Sequence, residues 1–146
     1  MNQHQKPTIH ISSEPDASAE DVNVIEDRIN EFNMRVTGDH NWKPVRIFLR
    51  DEHGNIRGGI AADLWGGWLD IDLLWVDEDL REQGYATQLM QQVEDQARAH
   101  GCRNAQVGTH SFQARPFYEK LGYHVIAELE DYPPGHSDFL LRKALV

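Results

Sequence analysis

The chain has 146 residues, 40% of them apolar and 26% charged, with 11 Gly and 6 Pro; this is the make-up of one ordinary globular domain spanning residues 1–146, and it excludes a collagen-like, coiled-coil or low-complexity chain. Fourteen Lys and Arg against 24 Asp and Glu leave a formal net charge of −10, which repels a phosphate backbone, argues against nucleic acid as a partner and attracts a cationic small molecule. The lone Cys102 excludes an internal disulfide and a multi-cysteine zinc site. No stretch approaches the roughly 18–20 apolar residues that span a bilayer, and no basic segment followed by an apolar run opens the chain, so a cytoplasmic address without a membrane partner is expected.

In chain order, residues 1–7 read as a loose end closed by Pro7, and Thr8 to Ser12 as a short strand. Ala19 to Val36 carries Val22, Ile25, Ile29, Phe32 and Val36 at three- and four-residue spacing, which predicts a helix with its apolar stripe in the core. Val45 to Arg50, Ile56 to Leu64 and Trp68 to Val76 alternate as strands, separated by a polar turn at 51–55 and by Gly66-Gly67, so three antiparallel strands follow one another. The period then changes. Gly84 to His100 is helical through Ala86, Leu89, Met90, Val93 and Ala97; Asn104 to Thr109 is a strand, Ala114 to Leu121 a short helix, and Tyr123 to Leu129 and Phe139 to Leu145 are closing strands. A strand, a helix and a further strand in succession demand a right-handed crossover, so the fourth and fifth strands run parallel in an otherwise mostly antiparallel sheet. The predicted class is α+β, a mixed sheet with helices on its faces.

The segment joining the strongest strand to the long helix runs Asp77-Glu-Asp-Leu-Arg81-Glu-Gln83-Gly84-Tyr85-Ala86-Thr87. Its Arg-x-x-Gly-x-Ala pattern places unpaired first-turn amides and the positive end of the helix dipole at a point where Gly84 admits a close ligand, which suits a phosphate. On the strand before it, strict alternation puts Trp68, Asp70, Asp72, Leu74 and Val76 on one face and Leu69, Ile71, Leu73 and Trp75 on the other, so two carboxylates share a face.

The run from Leu74 through Arg81-Glu-Gln-Gly-Tyr-Ala-Thr-Gln-Leu-Met90 resembles the acetyl-coenzyme A binding motif of the GNAT N-acetyltransferase superfamily. Downstream, Ala114-Arg-Pro-Phe-Tyr-Glu-Lys-Leu-Gly-Tyr123 is similar to a second motif of that family, and Ser111 to Ala114 with Asp131 to His136 resemble a small bacterial subgroup. The resemblance implies the GNAT-like acyl-CoA N-acyltransferase fold, with the fourth and fifth strands splayed. The pantetheine arm of acetyl-CoA would lie along Leu74, Trp75 and Val76, and the pyrophosphate on the amides of Gln83, Gly84, Tyr85, Ala86 and Thr87 with Arg81 beside it. Tyr118 matches the family tyrosine that protonates the departing thiolate. Asp70 stands where some members carry a catalytic Glu, directly or through water a base for the amine, with Asp72 as alternate; both carboxylates are equally read as satisfying polar neighbours or attracting a cationic substrate. Ser111 replaces an Asn by which many members touch the cofactor, and its hydroxyl can keep one such hydrogen bond.

The activity implied is transfer of an acetyl group from acetyl-CoA to a primary amine, on a small molecule or a peptide, by direct attack in a ternary complex; the alternative is an inactive CoA-binding regulatory module. Many relatives pair as homodimers. The eight His show no metal-ligand spacing, so no metal is expected. His110, at a strand end, and His136, in a Pro-Pro-Gly-His loop, are read as exposed loop histidines, with an approach to the acceptor pocket as the alternative. Trp65, Trp68 and Trp75 are read as packing residues, and Cys102 as having no nucleophilic role.

Overall fold

The structure, a computed structural model, describes residues 6–146. It falls into two compact units, Met1–His40 and Asn41–Val146. In the first, α1 spans Ala19–Thr37: Ser18 Oγ accepts the Asp21 amide at 3.1 Å, Glu20 and Asp21 favour the positive end, and Gly38, at φ 69°, closes the helix with its N–H on Met34 O. The predicted stripe forms but is not core: no residue of α1 is buried, and Val22, Ile25, Ile29, Phe32 and Val36 are each more than half exposed. A stripe is buried only against a second apolar surface, which this unit by itself lacks. The strand expected at Thr8 to Ser12 is absent for a related reason; these residues join no ladder, and a strand exists only through its ladder. Of the expected loose end 1–7, residues 1–5 lie outside the described residues.

The second unit contains β1 (Lys43–Arg50), β2 (Ile56–Trp65), β3 (Trp68–Val76), a 3₁₀ turn at Glu78–Leu80, α2 (Tyr85–Ala99), β4 (Asn104–His110), α3 (Arg115–Lys120), β5 (His124–Glu130) and β6 (Ser137–Ala144). One six-stranded sheet runs in the order β1-β2-β3-β4-β6-β5, antiparallel except where β3 meets β4. Asp51 Oδ1 caps the β1–β2 turn by accepting the His53 and Asn55 amides, both at 2.9 Å, and Gly66-Gly67, at φ 59° and 80°, make the two-residue β2–β3 turn that only left-handed residues close well.

The core lies where α2 covers one face of β1–β3. Leu89, Met90, Val93 and Ala97 meet Val45, Ile60, Ala62, Leu64, Leu69 and Ile71, all buried, and full burial of each larger aliphatic side chain contributes roughly 1.5–3 kcal/mol. One charge is buried with them. Glu94 of α2, 5% exposed, receives Lys143 Nζ at 2.8 and 3.0 Å and the Tyr123 hydroxyl at 3.1 Å, tying the helix to β6.

Two irregularities in β3 shape the site. The β2–β3 register slips by one, Ala62 facing Ile71 while Ala61 faces Leu73, so Asp72 is the extra residue of a bulge. Strict alternation therefore fails beyond it: Leu74 and Val76 join Leu69 and Ile71 on the covered side, whereas Leu73 and Trp75 turn to the open side with Asp70. The parallel ladder to β4 also runs only from Trp68↔Asn104 to Ile71↔Val107. Past that point β3 stays with β2 and β4 stays with β6, and the two strands splay apart.

Candidate active site

The splay opens into a cleft of about 950 Å³. Its β3 wall is Ile71 to Val76, its β4 wall Val107 to His110, and its floor Pro116, Phe117 and Tyr118 of α3, with Arg81, Glu82 and Ala86 at the α2 end. Because β3 has no β4 partner from Asp72 onward, N–H and C=O groups on that edge, apart from the Val76 carbonyl that Arg81 engages, are available to an extended ligand, as an edge strand's are to an added strand.

At the other end α2 begins differently from α1. Its N-cap is Gly84 at φ 86°, with no side-chain cap and no acidic residue in the first turn, so the leading amides have neither a protein acceptor nor a competing carboxylate at the cap. The loop before it is braced. Arg57 Nε meets Asp77 Oδ2 at 2.7 Å and its NH2 meets both Asp79 oxygens at 2.7 Å, while Trp75 Nε1 donates to Asp77 Oδ1 at 3.0 Å. The hydrogen bond from Arg57, and then that from Trp75, hold the Asp77 carboxyl below the usual carboxylate range. Arg81 donates through Nε to Val76 O at 3.0 Å and sets its guanidinium 4.6 Å from the centre of the Trp75 ring. Trp75 itself is 55% exposed, so its ring lines the cleft and packs at the edge against Arg81 rather than in the core.

Tyr118 is 5% exposed, its ring edge-on to Phe117 and Tyr123 at centroid distances of 5.2 and 6.0 Å. Burial pushes its phenol up to about 12, which keeps the hydroxyl protonated across the neutral range. The residues before α3 form a hydrogen-bonded turn: Gln113 Oε1 accepts the His110 amide at 2.8 Å and the Thr109 hydroxyl at 3.4 Å, and Thr109 Oγ1 accepts the Ala114 amide at 3.3 Å.

The structure brings Tyr118, Asp72, Leu74, Trp75, Val76, Arg81 and Ala86 to the cleft wall. Gln83, Gly84, Tyr85 and Thr87 make the helix start beside it. Asp70 sits outside the lining residues, level with Gln106 in the β3–β4 ladder; partial burial raises its carboxyl, the Gln106 hydrogen bond opposes this, and Asp63 and Asp72 add to the rise. Ser111 Oγ accepts the Ser137 amide at 3.1 Å and also lies off the wall. The structure also places in the cleft His110, whose approach to an acceptor pocket the sequence left as the alternative reading, and Phe112 and Asp138, which the sequence did not single out. His110 is not an exposed loop side chain but ends β4 with 29% of its side chain accessible. Its neighbourhood to the downstream motif was the available signal; Asp138 carries none in the sequence, since only the β4–β6 ladder brings it near.

A mixed sheet whose parallel pair splays toward an uncapped helix N-terminus is the acyl-CoA N-acyltransferase fold. Residues 12–123 match the model of the acetyltransferase (GNAT) family. A blasticidin-S acetyltransferase from Streptomyces morookaense is 42% identical over 107 residues, 70% of this chain and 79% of that protein. The acetyltransferase Atu2258 from Agrobacterium fabrum is 32% identical over 127 residues, 87% and 93% of the two chains. The crystal structure of an acetyltransferase from Bacillus cereus superposes with a TM-score of 0.78 at 32% identity, covering 93% of this chain and 97% of that one. The chain belongs to the GNAT family and is an acetyl-CoA-dependent acetyltransferase.

Proposed function

We propose that the protein transfers the acetyl group of acetyl-CoA to a primary amine of a cationic small molecule, by direct attack in a ternary complex. The observation that carries this reading is the continuity of one cleft from the uncapped start of α2, along the unpaired edge of β3, to Tyr118. The amides of Gln83 to Thr87, with Arg81, would hold the pyrophosphate; the backbone from Leu74 to Val76 would pair with the pantetheine amides and polarise the thioester oxygen. Tyr118 donates its hydrogen to the departing sulfur. Asp72, in the wall, and Asp70, behind it, supply negative field that draws in the ammonium. An amine acceptor is supported by the blasticidin-S acetyltransferase relative and by the net charge of −10.

The test is titration calorimetry with acetyl-CoA and CoA on the wild type, Gly84→Asn and Gly84→Asp. Asn and Asp both accept a left-handed backbone, so the pair isolates charge at the phosphate position. Binding retained in Gly84→Asn and lost by at least tenfold in Gly84→Asp is expected, followed by thiol release with blasticidin S, spermidine, an aminoglycoside or a lysyl peptide. No binding by the wild type refutes the reading; binding without turnover on any amine leaves a CoA-binding module.

A further inference from the structure

On the β4–β6 side of the cleft, His110 and Asp138 face each other as a cross-strand pair. His110 Nδ1 is sealed from solvent and lies 3.4 Å from Asp138 Oδ1, a charge contact not aligned as a hydrogen bond; such catalytic contacts are often long before substrate arrives. The imidazole is fixed on two further sides, stacked on Phe112 at 5.4 Å and edge-on to Tyr132 at 5.3 Å. With Nδ1 sealed from solvent beside the carboxylate, Nε2 is the nitrogen left for a ligand.

We propose that His110 takes the proton from the acceptor ammonium, with Asp138 as the positioning residue that holds its imidazole. This rests on the acetyl-transfer reading above. An attacking amine must be neutral, and an ordinary alkylammonium has a pKa near ~10.4, so a base is required; an ordinary imidazole is a stronger base than an ordinary carboxylate by about two units. The proton balance closes. R–NH₃⁺ gives one proton to His110 Nε2, the nitrogen lone pair forms the N–C bond as the C–S bond breaks, and the thiolate leaves hydrogen-bonded by the Tyr118 hydroxyl. The surplus proton on the new amide nitrogen neutralises the thiolate through solvent, and His110 returns its own to bulk. The groups facing this imidazole are Asp138 from β6, Tyr132 and His136 from the β5–β6 turn, and, across the cleft, Asp72, Arg81 and Glu82.

The test compares wild type, His110→Gln, His110→Phe and Asp138→Asn by thiol release with acetyl-CoA and either blasticidin S or spermidine, from pH 6 to 9.5. The Phe variant keeps the ring stack if Gln disturbs it. Expected are a fall in kcat/KM for the amine of roughly 10²-fold at pH 7 in both His110 variants, with acetyl-CoA Kd within twofold of wild type. The variants, depending on the amine already neutral in solution, climb about tenfold per pH unit, whereas the wild type climbs less steeply, so the deficit narrows as pH rises. Asp138→Asn moves the acid limb with a smaller loss. A His110 variant with the wild-type pH profile, or a deficit that is constant with pH, overturns this assignment alone; a wild type that binds acetyl-CoA yet acetylates neither amine overturns the parent reading and this one with it.

Discussion

Replacing Tyr118 by Phe removes one oxygen and leaves the ring contacts with Phe117 and Tyr123 in place, so stability near neutral pH should change by less than about 1 kcal/mol. The catalytic cost follows from burial. With the phenol pushed up to about 12, complete transfer to a sulfur of ordinary basicity, near ~8.5, is uphill by roughly 5 kcal/mol at 1.36 kcal/mol per unit. In the proposed mechanism the hydroxyl would therefore act chiefly by hydrogen bonding to the sulfur while charge builds, worth about 1.5–3 kcal/mol to a charged acceptor, or about 10- to 150-fold in kcat. Thiol release under saturating acetyl-CoA should show that loss with Kd for acetyl-CoA unchanged. The phenol's elevation also sets an alkaline window. Its protonated form is favoured by folding, so its contribution is complete below pH ~10 and is lost as pH rises through about 12; Tyr123, raised still further by burial and by Glu94, adds to the same loss. Wild-type turnover should consequently persist through pH 10. A Tyr118→Phe enzyme within twofold of wild-type kcat, or a wild-type activity loss near pH 9–10 that Tyr118→Phe abolishes, refutes this reasoning.

Asp72→Asn and Asp70→Asn should raise KM for a cationic acceptor by roughly threefold to tenfold and leave the acid limb of the pH–rate profile in place, the signature of attraction without proton transfer; disappearance of the limb in either variant would give that residue the base role. Glu94→Ala strands Lys143 and Tyr123 in a buried site and should cost about 3–5 kcal/mol by denaturant unfolding, whereas Glu94→Gln, which still accepts the Tyr123 hydroxyl, should cost less; equal losses would mean the charge is not what counts.

Strand and helix order in the second unit was legible because its apolar residues keep period two or period 3.6 with Gly at the junctions, and each such element is locally determined. The start of α2 was legible for a like reason: Gly84 at the junction of a strand and a segment of period 3.6 marks a local backbone conformation at a single helix. The stripe of α1 shows where this reasoning stops, since periodicity gives a helix's face but not what covers it.

The sequence by itself determined the element order of the second unit, the parallel crossover and the glycine start of α2, all of which follow from contiguous residues. Only the tertiary structure decided which side chains face the cleft. The bulge at Asp72 reverses the alternation of β3 through a register slip against β2, and the splay exists because β3 and β4 each keep a different partner. His110 and Asp138, far apart in the chain, meet solely through the β4–β6 ladder. A ladder is a relation between two segments, and its register follows from how the apolar faces of both strands and their connection fit together, which neither strand carries alone.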